Sequence, residues 1–508
     1  MVIDPLILPD EAATERLGED IAKILRRGDT LCLHGDLGTG KSSLARALIR
    51  ALADNDNLEV PSPTYTLCQS YDGDLPVSHF DLYRLASEDE VLELGLEEAV
   101  EQGAVIVEWP ERAGSHLPND ALHLYLGITP DGGREVRFLQ AETAFGQRVR
   151  RSLAIRAFLD RNWGHGVVRR RFQGDASARR YETARLGGAT HVLMDAPRLP
   201  DGPAIRDGKP YSQIVHLAED VTPFVAISEL LEARGYASPP IHAKSLSEGL
   251  LLIGHLGDGK IIDASRMPIA ERYCASAALL AEMHRQVWPD TVSVSGEAGE
   301  TRQYKIARYD RDAISTEASL FADWYAPRFG GGLSHAARSA FLKIWDNLAD
   351  IVSTGETSLV LRDYHSPNII WRENEPFPAR IGLIDFQDAL IGPGAYDVAS
   401  LAQDARVDIS PTLETAVVDT YLAARSRDDG FNAETFRRDY AIMAAQRATK
   451  ILGIFVRLDE RDGKPGYLVH LPRVRNYLHR NLAHPVLAEY REWCAAHAGL
   501  DRQEMDHG

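Results

Sequence analysis

The sequence predicts two unlike folds in tandem: an α/β P-loop NTPase domain, then an α+β domain of two lobes. Three observations lead there. The 508 residues exceed what one hydrophobic core organises, so the chain divides into several domains. Up to about residue 145, short apolar runs alternate with helical spacing, and one junction carries Gly-Asp-Leu-Gly-Thr-Gly-Lys-Ser from Gly35 to Ser42. Beyond about residue 150, short strands with glycine-containing turns give way to long helical patterns, the order of an α+β fold.

The elements follow in chain order. "TLCLHG" ends an apolar run in glycine and reads as a buried parallel strand. "KSSLARALIRALA" spaces Leu44, Ala47, Leu48 and Ala51 as a helix does. "LPVSHFD" and "AVIVEW" are further strands, the second buried on both faces. "ALHLYLGI" and "REVRFLQA" alternate apolar and polar residues around "TPDGG", which predicts a hairpin. Three short strands lie in "GVVRRRFQGDASARRYETARLGGATHVLMDAP". "ERYCASAALLAEMHRQV" and "YAIMAAQRATKILGIFVRL" are helical, and short strands and a loop interrupt the helices between Val360 and Asp385. The expected boundaries are 1–148 for the first domain and 149–508 for the second, with a small lobe at about 165–257 and a helical lobe at about 258–500.

Composition narrows the class. Hydrophobic residues make up 44% and charged residues 26%, an ordinary globular mixture. No run of eighteen apolar residues is present, so no membrane span is expected, and the N-terminus lacks the pattern of a secretory signal. Cys32, Cys68, Cys274 and Cys494 are widely spaced and form no CxxC pair, which fits a reducing cytoplasm better than a disulfide or zinc framework. A net charge of −18 argues against a general nucleic-acid-binding surface. One local exception, Arg148 to Phe172, is rich in arginine and reads as a solvated helix and strand near a domain junction, or as a contact for RNA or a partner.

Gly35, Asp36, Leu37, Gly38, Thr39, Gly40, Lys41, Ser42 and Ser43 form the first nucleotide site. Glycines let backbone N–H groups curl around phosphate oxygens, and the following helix directs its positive end at the same anion. Lys41 supplies a cation and Ser42 an oxygen for magnesium. "SPTYTL" (Ser62 to Leu67) lies where a switch-like loop belongs, and Asp81 and Glu108 follow apolar strands, where a carboxylate lies near the metal. Together with "LPDEAAT", "ELG" at Glu93 to Gly95, "HFDLYRL" and "VEWPER", these pieces over about residues 5–145 resemble the TsaE family, ATPases of the bacterial machinery that makes threonylcarbamoyladenosine in tRNA. The resemblance implies a small ATPase acting on TsaB- and TsaD-like synthase subunits, with tRNA as an indirect partner. It implies that Lys41 holds phosphate, that Ser42 and Glu108 hold Mg2+, that Asp81 lies in the ATP site with a catalytic part, and that Glu11 lies beside the nucleotide.

The second site starts from Asp363 and Asn368 in "LRDYHSPNIIW" and Asp385 in "IDFQDALIGPGAYDVASL". Asp-x4-Asn with a further Asp some twenty residues on is the spacing of kinase-type phosphoryl transfer. Asp363 takes or orients the proton of an acceptor hydroxyl, and Asn368 and Asp385 bind magnesium on the ATP phosphates. With "GDASARRY" and "VLMDAP", these stretches resemble the aminoglycoside phosphotransferase superfamily, and within it the AmgK-like kinases, over about residues 152–500. The resemblance implies a two-lobed protein-kinase-like fold. It also implies phosphorylation of the anomeric hydroxyl of N-acetylmuramate or N-acetylglucosamine in cell-wall sugar recycling. Gly174, Asp175, Ala176 and Ser177 would cover the nucleotide phosphates.

The chain departs from the broader pattern in two places. "HVLMDAP" has Met194 near the position of the usual phosphate-pairing lysine; either Arg179 or Arg180 supplies that charge or this branch dispenses with it, and Glu229 is a candidate ion-pair partner or else a surface glutamate. "LLLIGHLGD" has Gly254 and His255 where an acidic pair is common. The leading reading is a fusion of two cytoplasmic enzymes. The alternatives for the second half are a regulatory nucleotide-binding module, or a kinase for an aminoglycoside, a choline-like alcohol or homoserine, with the acidic "DARVD" around Asp404 either meeting a cationic acceptor or forming a solvated face.

Overall fold

Leu31, Leu33, Ala104 and Ile106 join one apolar cluster while Cys32, Val105 and Val107 join another, because successive side chains of a strand point to opposite faces. The computed structural model describes residues 3–171, 179–198, 202–297 and 299–500. The chain gathers into two compact units, Met1–Asp195 and Ala196–Gly508.

In the first unit β1 (Leu6–Leu8) and α1 (Glu11–Ala22) precede β2 (Thr30–His34) and α2 (Lys41–Leu52). Then come β3 (Cys68–Tyr71), β4 (Val77–Asp81), α3 (Leu96–Gln102), β5 (Ala104–Glu108), β6 (Leu122–Ile128) and β7 (Arg134–Leu139). These strands form a seven-stranded sheet in the order β1-β7-β6-β2-β5-β4-β3. Its centre is parallel, with β2 beside β5 and β6 and β4 beside β5; β3–β4, β6–β7 and β1–β7 are antiparallel. All five residues of β5 are buried, as an apolar β-branched run covered on both faces requires. Complete burial of a side chain such as Ile106 contributes about 2 kcal/mol.

α4 (Ala144–Asn162) follows the sheet, and the expected boundary after residue 148 falls inside it. Next is an antiparallel ladder of β8 (Val168–Arg171), β9 (Arg180–Leu186) and β10 (Ala189–Asp195). Arg161 and Arg170 are exposed, but other arginines of this stretch are paired rather than solvated. Arg148 pairs with Asp29, Arg151 with Asp195, and Arg156 with Asp20 at 2.7 Å. Arg169, buried, pairs with Asp20 at 3.1 Å and with Glu182 at 2.7 Å. Desolvation opposes ionisation of the buried Asp20 carboxyl, but Arg169 and Arg156 hold its pKa below the usual range.

The second unit starts with α5 (Thr222–Glu232) and the hairpin β11 (Ile241–Ser245)–β12 (Leu250–Gly254), then turns helical. α6 (Ala270–His284), α7 (Arg311–Leu320) and α8 (His335–Ser353) lead to four short strands: β13 (Thr357–Val360), β14 (Ile369–Trp371), β15 (Ile381–Leu383) and β16 (Leu390–Pro393). β13 pairs antiparallel with β16, and β14 with β15. α9 (Ala395–Ala402), α10 (Pro411–Arg425) and α11 (Ala433–Glu460) follow. The Asn432 side chain accepts the Thr435 amide at 2.8 Å and so starts α11, which is buried along most of its length.

His284 ends α6, where a cation is ordinarily favoured, yet it is 3% exposed. Burial, with Arg425 beside it, pushes its imidazole down to about 3. A histidine with a depressed folded pKa stays neutral while the unfolded chain takes up a proton, so stability is lost as pH falls below the ordinary value of 6.5. The expected loss between pH 7 and pH 5 is about 2 kcal/mol. Urea unfolding at both values checks it, with a smaller drop expected for His284→Gln.

Candidate active sites

β2 ends at His34, and α2 begins at Lys41, so the loop between them sits at the carboxyl end of a central parallel strand. Gly35 has φ +134°, and a Cβ there would lie 2.3 Å from the Leu126 carbonyl oxygen, which only glycine avoids. Lys41 Nζ donates to the carbonyls of Gly35 at 2.7 Å and Asp36 at 3.0 Å, and stands 4.1 Å over the Trp109 ring. Burial lowers the Lys41 ammonium pKa, opposed by the nearby carboxylates of Glu108, Glu111, Asp81 and Asp36. Thr39 Oγ1 donates to the Asp36 carbonyl, and Arg134 Nε to the Thr39 carbonyl, which braces the loop from β7.

Ser42 Oγ donates to Glu108 Oε2 at 3.0 Å, so the two expected metal ligands share one place. The other Glu108 oxygen lies 3.0 Å from His79 Nε2. Asp81 faces Glu108 across the β4–β5 register. It accepts hydrogen bonds from Ser62 Oγ at 2.9 Å, Thr64 Oγ1 at 2.7 Å and the Tyr83 amide at 3.1 Å, and so ties the "SPTYTL" loop to the strand end. Glu11 is exposed in the first turn of α1 and, among the described residues, makes no hydrogen bond to the loop.

His79, Arg134 and His34 went unmarked in the sequence. His34 stacks on Tyr125 at 4.1 Å and lies 2.8 Å from His123 Nδ1. Burial and His123 push it down to about 4. Pairing across β2–β6 creates this cluster, and no linear signal marks it.

In the second unit Asp363 lies in the loop between β13 and β14, and Asp385, at φ +60°, follows β15. Asn368 joins them: its Nδ2 donates to the Asp363 carbonyl at 2.9 Å and to Asp385 Oδ2 at 3.3 Å. Gln387 Nε2 donates to the other Asp385 oxygen at 2.9 Å. The Asp363 carboxylate is half-exposed, with Arg447 Nη1 at 3.8 Å. Desolvation works against its charge, but Arg447 and then Lys450 hold its pKa below the ordinary carboxylate range.

Buried polar groups brace this loop. Asp397 accepts the amides of Leu361 at 2.6 Å and Arg362 at 2.9 Å, although burial pushes its carboxyl up to about 7. Arg362 has φ +67° and pairs with Glu317, which also accepts from Lys450 at 2.7 Å. Asp404 is fully buried and accepts from the Ser366 amide at 2.8 Å and the Tyr273 hydroxyl at 3.2 Å. It is therefore neither a solvated face nor available to a cationic acceptor. A signal for this set existed: Asp397 in "AYDVASLA", and Arg447 and Lys450 in "AIMAAQRATKILGIF", are charges set in apolar helices.

Gly174, Asp175, Ala176 and Ser177 lie outside the described residues. Arg180 is exposed at the start of β9, opposite Asp195, and Met194 is buried in β10. Glu229 does have an ion-pair partner, Lys244 Nζ on β11 at 2.8 Å; the same amine donates to Ser295 Oγ at 3.1 Å.

Residues 8–136 match the model of the threonylcarbamoyl adenosine biosynthesis protein TsaE, and residues 168–431 match that of the phosphotransferase enzyme family APH. An N-acetylmuramate/N-acetylglucosamine kinase of Caulobacter vibrioides is 36% identical over 360 residues, 68% of this chain and 95% of that protein. A kinase of the same name from Pseudomonas putida is 31% identical over 63% of this chain and 86% of its own length. A tRNA threonylcarbamoyladenosine biosynthesis protein TsaE of Rickettsia felis is 39% identical over 28% of this chain and 91% of its own length. With the P-loop joining β2 to α2, and Asp363, Asn368 and Asp385 gathered around β13–β15, the chain belongs to the TsaE family in its first part and to the phosphotransferase enzyme family in its second.

Proposed function

We propose that the chain is a bifunctional cytoplasmic enzyme. Residues 1–148 carry an ATPase for threonylcarbamoyladenosine formation in tRNA, and residues 149–508 a kinase for the anomeric hydroxyl of N-acetylmuramate and N-acetylglucosamine. The observation that carries the kinase reading is the single Asn368 amide that ties the Asp363 backbone to the Asp385 carboxylate. Asp363 accepts the proton of the acceptor hydroxyl as its oxygen attacks the γ-phosphorus. The bond to the bridging oxygen breaks, leaving ADP and a sugar phosphate. Asn368 and Asp385 are oxygen ligands of the kind Mg2+ takes beside phosphates, as are Ser42 and Glu108 in the first unit. Held by these residues, the ion would supply charge neutralisation at the phosphates. Lys41 and the loop amides of Gly35–Ser43 hold ATP in the first site, which works with TsaB- and TsaD-like subunits, with Asp81 fixing the switch-like loop beside it. Glu11 and the Gly174–Ser177 loop belong to the two nucleotide sites in the same reading. Among the described residues no helix is long and apolar enough to cross a membrane.

Arg447 and Lys450 beside Asp363 favour a neutral or carboxylate-bearing acceptor over a cationic one. Assay of the purified chain with ATP against N-acetylmuramate, N-acetylglucosamine, kanamycin, choline and homoserine tests this. The expected products are sugar 1-phosphates with no reducing end; turnover of cationic acceptors alone would refute the assignment.

A further inference from the structure

α11 carries three cations, Arg447, Lys450 and Arg457. Lys450 and Arg457 are seven residues apart and so share one stripe of the helix. The first two have acidic partners: Arg447 lies 3.8 Å from Asp363, and Lys450 2.7 Å from Glu317. Arg457 has none. Among the described residues its guanidinium makes no hydrogen bond or ion pair and stands 5.4 Å over the Tyr211 ring. Asp462, whose charge reaches it, is bound to Arg461 at 2.7 Å, and Asp459, two residues on, to Arg328 at 2.6 Å.

The unpaired atoms face outward. Arg457 and Tyr211 are both half-buried. Of the guanidinium nitrogens only Nε is sealed from solvent; Nη1 and Nη2 are unpaired and accessible, and so is the Tyr211 hydroxyl. Burial lowers the Arg457 pKa, but a guanidinium starts so high that the charge remains. Burial and Glu317 push the Tyr211 phenol up to about 12, so it keeps its proton and can donate. Two adjacent donors, one charged and neither satisfied, suit a carboxylate brought from outside.

Tyr211 links this place to the phosphoryl-transfer loop. It begins the short helix Tyr211–Ile214, and its carbonyl accepts the Val215 amide at 3.0 Å. The Val215 carbonyl accepts Arg362 Nη1 at 2.9 Å, and Arg362 precedes Asp363. Lys450 stands between the two places, since its charge acts on both Asp363 and Tyr211. From Arg447, beside Asp363, to Arg457 the helix rises about 15 Å. A monosaccharide with its anomeric hydroxyl at Asp363, an acid arm on a remote carbon and a hydrogen bond at either end fits that span. N-acetylmuramate differs from N-acetylglucosamine by such an arm.

We propose that Arg457, with the Tyr211 hydroxyl beside it, binds the carboxylate arm of the acceptor sugar and sets the preference for an acidic over a neutral amino sugar. Nη1 and Nη2 meet the two carboxylate oxygens, a two-pronged match that the point charge of a lysine lacks. This role rests on Asp363 serving a sugar kinase, and it concerns binding, not the transfer step.

Steady-state kinetics of the full-length chain with N-acetylmuramate and N-acetylglucosamine test it. The ratio of kcat/KM for the acidic sugar to that for the neutral one is expected to fall about tenfold or more in Arg457→Gln, through KM, and to recover in part in Arg457→Lys. An unchanged ratio overturns the proposal, and so does a rise in the KM for ATP with the sugar KM unmoved, which would give the guanidinium to the nucleotide. Failure of the kinase reading is distinct: the wild type would turn over neither sugar. Calorimetric titration with N-acetylmuramate then reads the contact alone, and equal affinity of the wild type and Arg457→Gln overturns it.

Discussion

Asp363→Asn is expected to lower the sugar-kinase rate about a thousandfold, the loss of a positioned proton acceptor, or about 4 kcal/mol of barrier. The substitution keeps shape and removes only the basic oxygen. Asn368 bonds the backbone carbonyl of residue 363, so that link survives. The side chain is half-exposed and 3.8 Å from Arg447, so little stability is at stake. Because Arg447 and Lys450 hold the carboxyl below its usual range, the wild type keeps its base ionised throughout neutral pH, and the kinase rate gains no acid limb there from Asp363. Steady-state kcat and the melting temperature separate the chemical from the structural effect. A variant within tenfold of the wild type would remove Asp363 from the proton-accepting role.

Lys41→Ala is expected to cut ATP hydrolysis by the first unit, assayed with its synthase partners, by about a hundredfold to a thousandfold. Glu108, Glu111, Asp81 and Asp36 surround the ammonium. Without it, incoming phosphates meet four carboxylates and lose the loop's own cation. The carbonyls of Gly35 and Asp36 also lose the donor that now draws them together. Sugar-kinase kcat should stay at the wild-type value. A parallel fall in both rates would mean that one nucleotide site serves the whole chain.

What was legible in the sequence is what lies close along it. Gly35–Ser42, β5 and the Asp363–Asn368 pair are local patterns: α2 starts at Lys41, β5 is a buried strand, and Asn368 bonds the Asp363 carbonyl. The β6–β7 hairpin was announced by alternation around "TPDGG". Tertiary partners were not legible. Arg169 and Arg156 read as exposed because Asp20, which neutralises them, is more than a hundred positions away. Asp404 read as a surface acid because the Ser366 amide and the Tyr273 hydroxyl that justify its burial come from other elements. Glu229 gained a lysine from β11 instead of β10, a substitution that only the fold reveals.

The buried Asp20 constrains where the chain can be divided. Its guanidinium partners come from α4 and β8, far along the chain from α1, the helix that carries Asp20. A break between residues 148 and 156 would remove both guanidinium partners and leave this buried carboxylate facing Lys23 at 3.7 Å, at a cost of about 3–5 kcal/mol. A first unit expressed on its own keeps Asp20 paired to arginine when it carries the arginines of α4 and β8 along.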